Sequence, residues 1–355
     1  MRTRCPKADT EVMRRLATFA LVALLLAAAA GTAGAGSKAA RSWADPQIAA
    51  VVEAGLMAPS VSEFRPDDPL TWTEFATVLA SLGGSVSVVE PDRPVTMREL
   101  DAQLVTLVDL RSVARQIRLA AVDAGLTPTP WLGTETVARM LGLRANHVRS
   151  EEGLELQLSQ PATRAEAAYS TARLLAMDHA EVEAVRETAE DFTLPYLTEW
   201  QRAVLARALR FVGSPYVWAG TSERPQQLFG KLEPGGFDCS GFVWRVYKLE
   251  PFAGAPMLAE VLRGRTSYAM SGEVTKAARL NREQLQPGDV VFFGARGPRS
   301  LPAEVGHMGI YVGNGWIVHS SRFGTTLTPM TGWYETSFAW GRSPLAEAGV
   351  AGIGA

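Results

Sequence analysis

The chain has 355 residues, 47% of them apolar, a formal net charge of −2 and a mean hydropathy of +0.02. This balance leaves no electrostatic footprint for nucleic acid. The length exceeds what one hydrophobic core ordinarily covers, so two domains are expected.

The N-terminus reads as a secretory signal. Arg14 and Arg15 supply positive charge, Leu16 to Ala30 is free of charge, and Ala33-Gly34-Ala35 matches a small-x-small cleavage site, placing the mature start near Gly36. Met13 is an alternative start. The apolar stretch is short for a membrane span, which disfavours a retained anchor. No cysteine follows it closely, which disfavours a lipid-anchored protein. Removing residues 1–35 takes away five basic and two acidic residues, leaving 30 basic against 35 acidic, a net charge of −5. Cys5 leaves with the signal, so Cys239 has no intramolecular partner.

Residues 40–180 are rich in Ala, Leu, Val and Arg at helical spacing and predict a helical domain. A weak internal repeat runs through them. Ser42-Trp43-Ala44-Asp45 leads a helix ending at Ala54-Gly55-Leu56. A loop from Phe64 to Leu70 and a helix start at Thr71-Trp72-Thr73-Glu74 follow. Val95-Thr96-Met97-Arg98-Glu99 echoes the helix start, and Ala124-Gly125-Leu126 with Pro161-Ala162-Thr163-Arg164-Ala165-Glu166 echoes both halves. Each Thr is an expected N-cap, with a Glu completing the capping box in the first and third cases. These stretches resemble S-layer homology repeats. That resemblance implies an all-α domain holding a cell-wall polymer, in which the arginine of the helix start takes part. Here Trp72 stands at that position in the first copy, and Arg164 in the third. A helical spacer that merely positions a second domain is the other reading. His147 and His179 lack metal-ligand spacing and read as surface histidines.

Residues 181–198 form a charged linker broken by Pro195. Thr198-Glu199-Trp200-Gln201 has a capping-box pattern that opens a new helix. Residues 199–345, which carry most of the Gly, Trp and Phe, form the second domain, and residues 346–355 a tail.

The chemistry is expected there. Cys239 lies in Phe237-Asp238-Cys239-Ser240-Gly241-Phe242-Val243, where Asp238 can cap a helix beginning at Cys239 and Phe242, Val243 and Val246 follow at core spacing. A thiol at a helix N-terminus sees the positive end of the dipole, which favours thiolate, and its own backbone N–H is a natural oxyanion donor. His307 and His319 fall on two expected strands joined by an Asn314-Gly315 hairpin turn. The hairpin sets them side by side, His307 as base and His319 as the residue that orients it. A thiolate–imidazolium resting pair is expected. The stretches Leu249–Arg265, Ala295–Glu304 and Leu228–Pro234 read as loops around the cleft.

Five ordered stretches carry a resemblance to the NlpC/P60 family of papain-like cysteine peptidases. They are Val212 to Gly220, Phe237 to Val243, Leu285 to Phe293, Gly306 to Gly313, and Ile317-Val318-His319-Ser320. The resemblance implies an α+β fold with helices packed on an antiparallel sheet. It implies that Cys239, His307 and His319 are catalytic, and that Tyr216, whose hydroxyl enters the active site, binds substrate or the oxyanion. In some relatives the positions of Asp238 and Ser240 bind the substrate's free amino end. No metal or organic cofactor is implied. The substrate implied is the peptidoglycan stem peptide, cut at the γ-D-glutamyl–diamino acid bond by an exported, wall-associated enzyme. A papain-like acyl transferase, or a wall-binding protein in which the helical domain is the main business, are the alternatives.

Overall fold

The structure is a computed structural model that describes residues 42–144 and 155–350. The proposed signal, His147 and the last residues of the tail lie outside the described residues. Among those described, no helix is long and apolar enough to cross a membrane.

The chain divides into two compact units, residues 1–111 with 141–186, and residues 112–140 with 187–355. This departs from the expected boundaries. The segment 112–140, read as part of the helical domain, belongs to the second unit, and the division falls inside the helix His179–Glu190.

The first unit is helical. Its Pro-x-Thr segments at residues 69–71, 94–96 and 161–163 close a ring of backbone hydrogen bonds. Leu70 N–H donates to Ala162 O, Ala162 N–H to Val95 O, and Val95 N–H to Leu70 O, each at 2.8 Å. Each segment opens a helix, Trp72–Ser81, Met97–Leu107 and Arg164–Ala176. Repeats far apart in sequence thus satisfy one another's backbone. The first cap is as expected and the other two differ. The first has both halves of the box, Glu74 N–H to Thr71 Oγ1 at 3.3 Å and Thr71 N–H to Glu74 at 3.0 Å. In the second, not credited with a box, Glu99 accepts from the Thr96 N–H at 2.9 Å. In the third, Thr163 Oγ1 accepts from the Glu166 N–H at 3.2 Å.

The second unit is built on an antiparallel sheet. In chain order its strands are β1 (Thr221–Ser222), β2 (Gln226–Leu228), β3 (Lys231–Glu233), β4 (Gly236–Phe237), β5 (Val290–Gly294), β6 (Val305–Gly313), β7 (Trp316–Ser321), β8 (Gly324–Pro329) and β9 (Phe338–Arg342). The main sheet has the order β8-β7-β6-β5-β9, and β1–β4 and β2–β3 form two small pairs. β5 is Val-Val-Phe-Phe-Gly and buried throughout, as a central strand covered on both faces must be. One face collects Val291, Phe293, Ile317, Met330 and Phe338. The helix Cys239–Tyr247 packs against β6 and β7. At the β6–β7 turn Asn314 (φ 48°) and Gly315 (φ 80°) both take left-handed values, the geometry of a tight hairpin. Residues 228–234, read as loop, instead form the β2–β3 hairpin, turned at Phe229 (φ 51°) and Gly230 (φ 79°).

Candidate active site

Local sequence makes the seat of Cys239. Asp238 is extended and its carboxylate accepts from the Gly241 N–H, capping the helix that opens at Cys239. Phe242, Val243, Val246 and Tyr247 bury the helix's inner face, and the Tyr247 hydroxyl donates to the Gly288 carbonyl. The segment before the cysteine is fixed from two sides. Phe237 N–H donates to Pro215 O at 3.1 Å, and Ser320 Oγ on β7 donates to Phe237 O at 2.7 Å. A Cβ at Gly241 would lie 1.8 Å from the Gly220 carbonyl, so only glycine lets the Val212–Gly220 stretch pass over the helix start.

The sheet brings the two histidines together, though not face to face. Ile310 pairs with Val318, and continuing that register sets Gly309 beside His319. A Cβ on Gly309 would sit 2.9 Å from that of His319. His307, two residues earlier on the same strand face, therefore reaches His319 diagonally across the space a side chain at 309 would fill. The contact is His307 Nε2 to His319 Nδ1 at 3.0 Å. His319 is fully buried and His307 half-buried. The Cys239 sulfur meets the backbone N–H of Met308, the residue after His307, along with those of Ser240 and Cys239 itself.

The electrostatics run against the expected thiolate–imidazolium pair. Burial, then the Asp238 carboxylate, push the Cys239 thiol up to about 12, although the amides around the sulfur pull it down. Burial lowers His307 to about 4, and His319 lies well below its ordinary value through burial and the neighbouring His307. A neutral thiol and a neutral imidazole are the resting forms these shifts favour. The helix end favours thiolate, but desolvation and the capping carboxylate outweigh it. Tyr216 adds no charge, because burial and the nearness of Cys239 and Asp238 raise its phenol to about 12.

These shifts fix a pH dependence of stability. A histidine harder to protonate when folded contributes fully above 6.5 and loses that contribution as pH falls towards about 4. His319 carries the same sign. Asp289, raised by burial from 3.8 to about 6, has the opposite sign and adds stability as pH falls through that window. Two histidines oppose one carboxyl, so the thermal midpoint should fall between pH 6.5 and 4. His307→Asn should flatten that fall in calorimetry at stepped pH, and an unchanged slope would contradict the burial shift.

Asp238 and Ser240, expected to touch substrate, are engaged within the protein. Ser240 Oγ donates to Asp238 Oδ1 at 3.0 Å and accepts from Arg265 Nη1 at 2.8 Å. Arg265 Nη1 also lies 3.4 Å from Asp238 Oδ1, and Nη2 donates to Ala219 O at 2.9 Å. Arg265 ends a stretch that reads as a loop, and nothing local in the sequence marks it. It offsets the capping carboxylate beside the thiol. Arg265→Gln should leave that charge uncompensated, raise the thiol further and slow alkylation of Cys239 by iodoacetamide about tenfold. Unchanged alkylation would remove this role. Tyr334 also escaped the sequence reading. Its hydroxyl lies 3.1 Å from His319 Nε2.

In the first unit, Arg164 is 3% exposed. It donates to Phe64 O at 2.7 Å and to the Met57 carbonyl, and contacts Glu74 at 2.5 Å. Its guanidinium is an internal brace rather than a surface group. Among the described residues no three His, Cys, Asp or Glu side chains are grouped to hold a metal ion.

Residues 213–342 match the NlpC/P60 family. The chain is 32% identical over 123 residues to the murein DD-endopeptidase MepH of Escherichia coli K12, covering 35% of this chain and 37% of that protein. It is 33% identical over 113 residues to the gamma-D-glutamyl-L-lysine dipeptidyl-peptidase of Bacillus cereus, covering 32% of this chain and 26% of that protein. A crystal structure of an NlpC/P60 family protein from Bacillus cereus aligns at 26% identity with a TM-score of 0.32, covering 44% of this chain and 43% of that one. The two curated relatives are thus matched over about a quarter to just over a third of their own length.

Proposed function

We propose that this chain, whose residues 213–342 form an NlpC/P60 family domain, is an exported peptidoglycan hydrolase. It cuts stem peptides at the γ-D-glutamyl–diamino acid amide through Cys239. The observation that carries the reading is the His307–His319 contact at 3.0 Å on strands packed against the helix that Cys239 opens. Relatives whose names give murein endopeptidase and γ-D-glutamyl-L-lysine dipeptidyl-peptidase support the substrate class. Export rests on the charge and apolar pattern of residues 1–35.

The neutral resting pair shapes the mechanism. As the sulfur attacks the amide carbon, its proton passes to His307, so thiolate and imidazolium arise together and each stabilises the other in a low-dielectric site. Backbone amides of the helix's first turn receive the developing oxyanion. The imidazolium then gives its proton to the leaving amine, and the C–N bond breaks to leave a thioester. His307 next takes a proton from water, the hydroxide attacks the thioester, and the proton returns to the sulfur as the acid departs.

The test is incubation of the protein, from Gly36 onward, with defined muropeptides and mass analysis of the products. Two fragments whose masses sum to substrate plus water are expected, with the new carboxyl on the D-glutamyl side. A heavier product joined to an added amine would show transfer instead, and intact substrate would overturn the reading.

A further inference from the structure

The hydrogen bonds that begin at His307 do not end at His319. His307 uses Nε2 towards His319 Nδ1, which leaves Nδ1 of His307 as the nitrogen to receive the thiol proton. A base must be bare at the nitrogen it uses. Neutral His307 must therefore carry its proton on Nε2 and donate it to His319 Nδ1. That bond requires His319 Nδ1 to be bare, so neutral His319 carries its proton on Nε2. The atom facing Nε2 is the Tyr334 oxygen, at 3.1 Å.

The opposite assignment is equally possible for isolated imidazoles and is fatal to the chemistry. If the Tyr334 hydroxyl donated to His319 Nε2, His319 would carry its proton on Nδ1 and donate to His307 Nε2. The His307 proton would then sit on Nδ1, and that nitrogen could accept none. The direction of one phenol decides whether the base exists.

We propose, resting on the hydrolase reading above, that Tyr334 is a positioning residue that accepts the Nε2–H of His319 and so holds both histidines in the tautomer in which His307 is a base. Its setting suits the task. Tyr334 follows Trp333 in the short helix Trp333–Ser337, and its ring packs edge-on against buried Phe293 at 5.4 Å between centroids. The His319 ring lies 5.0 Å away. Tyr334 is half-buried, so its own proton has solvent to turn to while its oxygen faces inward. Burial keeps the group a phenol, raised to about 12.

Nitrogen-15 NMR on histidine-labelled full-length protein tests this without reference to activity. His319 should show a protonated Nε2 and a bare Nδ1, and His307 a protonated Nε2. Tyr334→Phe keeps the ring and removes only the oxygen. It should give averaged His319 shifts, with kcat about tenfold lower and KM unchanged. A wild-type spectrum with the His319 proton on Nδ1 overturns the proposal whether or not the variant folds. So does a Tyr334→Phe protein with unchanged tautomers and kcat. Correct tautomers in a protein that cleaves no muropeptide would instead sink the hydrolase reading and leave this one standing.

Discussion

Cys239→Ala is expected to lower muropeptide cleavage by about 10⁴-fold or more while the protein stays folded. The size follows from what remains. Without the sulfur, the His307–His319 pair can only activate water, and a base lowered to about 4 is weak for that. Cys239→Ser should be nearly as inactive, for a reason the environment supplies. A hydroxyl holds its proton far more tightly than a thiol, and the same buried imidazole must remove it. Stability should change little, because the side chain sits at the helix start while Phe242, Val243 and Val246 anchor the inner face. Product masses and thermal midpoints measured together decide the matter. Cleavage that survived Cys239→Ala in a folded protein would mean that the sulfur is not the nucleophile.

The elements of this site were legible where the signal is local. Asp238 before Cys239, with apolar residues at helical spacing behind it, marks a capped helix in sequence and in space. Asn314-Gly315 marks the hairpin, and with it the neighbourhood of the histidines. What stayed hidden depends on the fold bringing distant chain together. Arg265 and Tyr334 carry no local pattern, and they reach the site because a connection after the nucleophile helix and a short helix after β8 end there. The diagonal histidine contact hangs on register, which a turn motif does not give by itself, and on the missing side chain of Gly309. The resting protonation state is hard to read from sequence for a related reason. A helix N-terminus is visible in sequence, whereas the desolvation that outweighs it belongs to the packed interior.

The same limit explains the domain boundary, and it sets the second large effect. Residues 132–140 look like any amphipathic helix of the N-terminal region, yet their Arg139 is buried in the unit that holds the catalytic candidates. Its guanidinium donates to the Gly213 carbonyl at 2.8 Å and to the Phe323 carbonyl, and its Nε lies 4.0 Å from Glu135, with both side chains at most 1% exposed. Gly213 N–H in turn donates to Thr325 O, and Thr325 N–H to Ser214 O. One arginine thus ties the start of β8 to the stretch that leads through Tyr216 towards Cys239. Arg139→Met removes the cation beside a buried carboxylate and the donors to two carbonyls, a loss of about 3–5 kcal/mol. Set against a total of about 5–15 kcal/mol for a domain, that should lower the thermal midpoint by about 10 °C. Glu135→Leu combined with Arg139→Met should recover part of the loss, because it removes a buried carboxylate together with the cation it faces. A fragment starting at residue 199, which carries the family's motifs but lacks this helix, should melt well below the full chain. If that fragment and Arg139→Met both melted with the intact protein, residues 112–140 would be a passenger on the second unit rather than part of its core.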